Sequence, residues 1–171
     1  MKGVTAIVEL SAVSMEDLIP VIRTQLENGG RAPLVVTGIS MHPTLRHCRD
    51  LVELVPMDRA PARGDLILYQ RDNGVYVLHR IVTKPENGRF ICSGDNQWEP
   101  EDVREDQIIA LVDTYIRDGK HISVNNPLCK LWVWYWIGVF PVRKPLLKMR
   151  RVAGRLKKKL GKQQNVLRGG S

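Results

Sequence analysis

Residues 64–82, GDLILYQRDNGVYVLHRIV, place two apolar runs on either side of an Asn73-Gly74 pair. Asn-Gly tolerates the positive φ of a tight reversal, so the stretch reads as a β-hairpin with His79 inside its second strand. The same texture continues outward. PLVVTGIS (33–40), DLVELVP (50–56), GRFICSGD (88–95) and QIIALVDTYIRDG (107–119) are further apolar or alternating runs, separated by Gly, Pro, Asn and Asp. Six such runs at this spacing predict a mostly antiparallel sheet or small barrel over residues 32–124. Ahead of it, VTAIVEL (4–10) has the β-branched content of a strand. SMEDLIPVIRTQLENGG (14–30) then reads as a helix, with Ser14 as N-cap, Asp17 three residues on, Pro20 in the early turns and Gly29-Gly30 as the stop.

The 171 residues, 43% hydrophobic, suffice for one core and exclude a chain disordered throughout. Cys48, Cys92 and Cys129 are odd in number and far apart, which points to neither a disulfide framework nor a zinc knuckle, and no cofactor or metal is expected. The opening MKGVTAIVELSAVSMEDL is too short and too weakly apolar for a signal peptide or a spanning helix, so a cytoplasmic location is expected. The net charge of +8 is unevenly spread: residues 1–118 hold 13 Lys/Arg and all 18 Asp/Glu, and residues 119–171 hold 13 Lys/Arg and no acid. Three segments follow: a strand and helix over 1–31, a β domain over 32–124, and a Trp-rich, basic, amphipathic helical segment over 125–171.

GISMHPTLRHCRD (38–50) is the stretch that invites chemistry. A strand that ends in Gly-x-Ser presents a hydroxyl at a sheet edge, although Ser and Thr in such a place also serve simply to close turns. As a nucleophile, Ser40 needs a base within reach and a third group to fix the base's tautomer. His42 and His47 share its loop and His121 follows a turn, whereas His79 lies within a strand, which holds a ring more firmly. Asp95, in the Gly-Asp-Asn turn of CSGDNQ, is a candidate acid as well as a plain turn former.

GISMHPTL, RGDLILY, LHRIV and SGDNQ, in this order, resemble the successive boxes of the type I signal peptidase and repressor-peptidase clan, over residues 33–114. The resemblance implies an all-β peptidase fold and a serine endopeptidase acting on a leader or precursor peptide. Ser40 would attack the scissile carbonyl. The box that holds a lysine in bacterial leader peptidases reads Leu78-His79-Arg80, as in the archaeal and endoplasmic-reticulum branch, so His79 would be the general base. Asp95 would orient the ring, with Asp102 of EPEDV as competitor. Gly38 carries no hydroxyl, so the oxyanion would rest on backbone N–H groups near Ser40 and Met41, each worth about 3 kcal/mol. Substrate would lie extended along Leu34–Gly38, touching Thr37, Gly38 and Met41, and beside Val75–Leu78 as an added strand. Small residues are expected just before the cut. The chain departs from the pattern at Cys48-Arg49-Asp50, where the clan has Gly-Asp, and no N-terminal membrane anchor such as the clan usually carries is expected.

Leu131–Val142 is apolar and rich in tryptophan but too short to cross about 30 Å of hydrocarbon. Beyond it Leu146, Met149, Ala153, Leu156 and Leu160 recur at helical spacing among Lys and Arg. Packing on the sheet and peripheral attachment to an anionic membrane through residues 131–162 both fit, with nucleic acid the less favoured partner because no reading module accompanies the charge. The alternatives to a processing peptidase are a repressor-like regulatory peptidase and a catalytically silent peptide-binding module.

Overall fold

The computed structural model describes residues 14–83 and 85–142. Helix α1 (Met15–Glu27) opens the described chain. The Ser14 hydroxyl accepts from Asp17 N at 3.2 Å and donates to the Asp17 carboxylate at 2.7 Å, a reciprocal cap of the kind its sequence promised. The helix ends at Asn28, where Gly29 adopts φ +71°. Ile19, Ile22 and Leu26 form its buried stripe.

Eight strands follow: β1 (Ala32–Val35), β2 (Leu51–Val55), β3 (Leu66–Gln70), β4 (Tyr76–Ile81), β5 (Arg89–Ser93), β6 (Glu101–Arg104), β7 (Ile108–Arg117) and β8 (Lys120–Ser123). A 3-10 turn, Glu105–Gln107, joins β6 to β7, and helix α2 (Pro127–Gly138) closes the described part. All the strand pairs are antiparallel, in the order β1-β2-β7-β3-β4-β5-β6, with β8 on β7. The mainly-β expectation therefore holds, and among the described residues the sheet is open: β1 and β6 end it without pairing to each other. The strand expected at 4–10 and the basic tail beyond residue 142 lie outside the described residues.

The β3–β4 hairpin turns through Asp72-Asn73-Gly74. Gly74 N donates to Arg71 O, Arg71 N donates to Val75 O, and Gly74 has φ +83°. That is a three-residue connection closed by a left-handed glycine. It pairs Ile67 with His79 and Leu66 with Arg80.

Strand β3 is buried on both faces and divides the core in two. Leu66 and Leu68 join α1, β1, β2 and β7 in one cluster, whereas Ile67 and Tyr69 join Ile81, Phe90, Cys92, Val103, Ile108 and Leu111 in the other. The period-two alternation of a strand produces this division. It also places Tyr69 and His79 on one face of the hairpin, with Arg80 on the other.

Candidate active site

Ser40 sits in the loop that leaves β1 and lines a cavity of about 220 Å³. Leu34–Thr37 line one wall and Tyr76–His79 another, with Met15, Ser40, Met41, Leu68, Arg71 and Gln97 between them. Ser40 and His79, far apart in sequence, thus both line one cavity, and no direct hydrogen bond joins their side chains. Thr37 and Met41 line it too. Gly38 holds φ +83°, and its N–H donates to His47 Nδ1 at 2.9 Å, which fixes the bend just before the serine.

Both walls carry unpaired strand edges. Among the described residues β1 has a neighbour on one side only, and β4 meets β5 through Arg80 and Ile81 alone, which leaves Tyr76–Leu78 without a sheet partner on that side. Such edges present rows of N–H and C=O groups that an extended peptide can pair with.

The Gly-Asp-Asn turn after β5 holds the serine loop in place. Asn96 N donates to Ser40 O at 2.6 Å, and Asn96 Nδ2 donates to Ile39 O at 3.2 Å. Gly94 is packed so closely that a Cβ there would lie 2.7 Å from Ser40 O and 3.0 Å from Ser40 Cβ. On the far side of the loop, Arg117 donates to Thr44 O and, with Arg46, to the fully buried carboxylate of Asp50. Burial works against ionisation of Asp50, but the bonds from Arg117 and Arg46 outweigh it and hold this carboxyl below its usual range. The loop is thus held from both sides, and no backbone acceptor among the described residues takes the N–H groups of Ser40 and Met41.

The surroundings of His79 differ from those expected. Its ring is 1% exposed, and Nδ1 lies 3.2 Å from Tyr69 Oη and 3.5 Å from Glu101 Oε1. Tyr69 donates its one hydroxyl proton to Glu101 Oε2 at 2.8 Å, so its oxygen accepts from Nδ1–H. That arrangement leaves the lone pair on Nε2. Arg71, at the foot of the hairpin, grips both oxygens of Glu101. Burial of Glu101 opposes its charge, but the bonds from Arg71 and Tyr69 prevail and keep it below its ordinary value. Burial also pushes the imidazole down to about 4, against the pull of the Glu101 carboxylate. Tyr69 is shifted upward by burial and by its bond to Glu101.

Asp95 does not hold the imidazole. Its carboxylate is 1% exposed and receives Arg80 Nε at 3.0 Å, Arg80 Nη2 at 2.9 Å and the Thr44 hydroxyl. Successive β4 residues point to opposite faces, so Arg80 carries the Asp95 carboxylate on the other side of the strand from the ring, and Asp95 acts on His79 only through its charge, which pulls the imidazole upward. Asp102 is also elsewhere: it faces outward and pairs with Arg89. Its neighbour Glu101, opposite Cys92 in the β5–β6 register, takes the inward position. The orienting pair Tyr69 and Glu101 escaped the sequence reading because EPEDVRE has too little apolar content to announce a strand. Period two counted from Val103, the buried residue of β6, would have turned Glu101 inward and Asp102 out.

Helix α2 completes the surroundings through two tryptophans. Trp132 Nε1 donates to Thr44 Oγ1 at 2.9 Å and Trp136 Nε1 to Asp95 O at 3.1 Å, and their rings stack at 5.2 Å and 13°. The helix thereby ties the serine loop to the Gly-Asp-Asn turn. Among the described residues no group of His, Cys, Asp and Glu is arranged to hold a metal ion, and the three cysteines are free. Neither a scan against protein-family models nor a search of curated proteins returns a match to this chain.

Proposed function

We propose that the chain is a serine endopeptidase that cleaves an extended peptide segment bound in the groove between β1 and β4. The observation that carries this reading is the meeting of Ser40 and His79 on one groove, where two unpaired strand edges supply backbone for a substrate strand. Ser40 Oγ attacks the carbonyl while His79 Nε2 takes its proton, and the N–H groups of Ser40 and Met41 receive the oxyanion. The imidazolium, acidic in its buried site and steadied by Glu101 through Tyr69, passes the proton to the leaving amine. Water then repeats the sequence on the acyl-enzyme. Strand pairing brings the hydroxyl, the ring and the scissile carbonyl together as the substrate fills the cavity, since catalytic hydrogen bonds tighten in the complex. In this scheme Tyr69 and Glu101 are positioning residues, and Asp95 shapes the loop. The likeness of four boxes to the signal-peptidase clan supports a leader or precursor peptide with small residues before the cut.

The test is incubation of the full chain with a library of extended peptides, read by mass spectrometry, beside Ser40→Ala and His79→Ala. Cleavage by the parent and a loss of about 10³-fold or more in both variants is the expected result. Equal cleavage by Ser40→Ala, or no cleavage together with no labelling of Ser40 by a fluorophosphonate, would overturn it. Saturable binding of a library peptide without turnover would instead assign the groove to peptide capture.

A further inference from the structure

Helix α2 is apolar around nearly its whole circumference, a pattern that belongs to a helix covered on all sides. Among the described residues only one side of it meets the rest of the fold. Trp132 and Trp136 bond to the loops, Cys129 Sγ lies 3.2 Å from Tyr115 Oη, Val133 packs at Gly64, and Ile137 is buried. At 100° per residue the opposite arc collects Trp134, Leu131, Tyr135 and Leu128 side by side. These four are 75%, 61%, 52% and 76% exposed. Four large apolar side chains in one contiguous stripe mark a surface that meets something else.

We propose that this stripe docks on an anionic lipid bilayer, with α2 lying in the plane of the headgroups. Tryptophan and tyrosine favour that depth, where an apolar ring and a polar N–H or O–H are both satisfied. The charge of the chain favours the same partner. No acid follows Asp118, and residues 143–171, which begin five positions after α2 ends, contain 11 Lys/Arg. Each basic group near an anionic surface adds attraction. A second copy of the chain would bring an equally basic segment of its own and be repelled. The helix does not span: its 12 residues reach about 18 Å, against about 30 Å of hydrocarbon. Because its inner face holds Thr44 and the Asp95 carbonyl, docking fixes the groove at the bilayer surface. This inference stands independently of the peptidase reading.

The experiment is flotation of the full chain with vesicles of phosphatidylcholine alone and of phosphatidylcholine mixed equally with phosphatidylglycerol, with tryptophan emission recorded alongside. Binding to the anionic vesicles only, with a blue shift, is expected. Leu131→Ser/Trp134→Ser should weaken it about tenfold or more without changing the thermal unfolding curve, because both side chains are exposed, and Val21→Ser on α1 should not weaken it. Equal affinity for neutral vesicles, or no response to the double substitution, would overturn the proposal. So would a dimer in sedimentation that the double variant dissociates. Duplex DNA binding that ignores Trp134, with no vesicle binding, would overturn it in favour of nucleic acid.

Discussion

The phenol of Tyr69 has a single proton, and its bond to Glu101 settles how the neighbouring imidazole is protonated. With that proton given to Oε2, the oxygen can only accept from His79, and Nε2 remains the basic nitrogen. Tyr69→Phe removes the link while keeping the ring. The expected outcome is a fall of about 10²-fold in kcat with little change in KM, and loss of the downfield Nδ1–H proton resonance. The pH profile reports the same relay. Burial holds the imidazole at about 4, so kcat/KM should lose its acid limb well below the 6.5 of an ordinary histidine. Glu101 raises that value, so Glu101→Gln should move the limb to still lower pH, and Glu101→Asp should restore it in part. A limb that stayed in place in Glu101→Gln would show that the carboxylate does not act on the ring. Ser40 and His79 were legible in sequence because each belongs to a run with a clear strand pattern. The carboxylate beside the imidazole was not, since its identity depends on which of two adjacent carboxylates faces inward.

At the scale of elements, the hairpin, α1 and six of the eight strands follow from local pattern, because apolar alternation and turn residues coincide there. β6 and β8 do not, since EDVR and KHIS owe their strand geometry to neighbours rather than to composition. Contacts between loops are equally hidden from sequence. The bracing of the serine loop by Asn96, and of both loops by Trp132 and Trp136, depends on where the sheet brings their ends. Gly94 offers the sharpest test of this bracing. A methyl group there meets backbone at Ser40 O, which cannot swing aside as a side chain would. Gly94→Ala should therefore shift the serine loop, cost about 1–3 kcal/mol in thermal or denaturant unfolding, and reduce turnover far more than peptide affinity. Unaltered turnover in a folded Gly94→Ala protein would mean that the position of Ser40 is not set by this turn.

Over the whole molecule, the two core clusters meet at β3, and the hairpin that carries His79 cannot loosen without opening both. The buried imidazole should therefore register in global stability. Its native value of about 4 lies below the 6.5 of the exposed ring, so between these values the unfolded chain binds the extra proton. Stability contributed by the neutral ring is complete above about pH 6.5 and falls as pH drops toward 4. Asp50 and Glu101 have the opposite chemistry but the same direction. Their native values are depressed, so their share is present above the ordinary carboxyl range and disappears as pH falls through their native values. The two contributions separate in pH. Between about pH 7.5 and about pH 5 the carboxylates are silent and His79 should account for a loss of about 2 kcal/mol in urea unfolding. His79→Gln, whatever its stability at neutral pH, should be flat across that interval and fall only below it. Parallel curves for the two proteins would mean that the ring is hydrated in the native state, and with that the physical basis for a low-pH acid limb would also be lost.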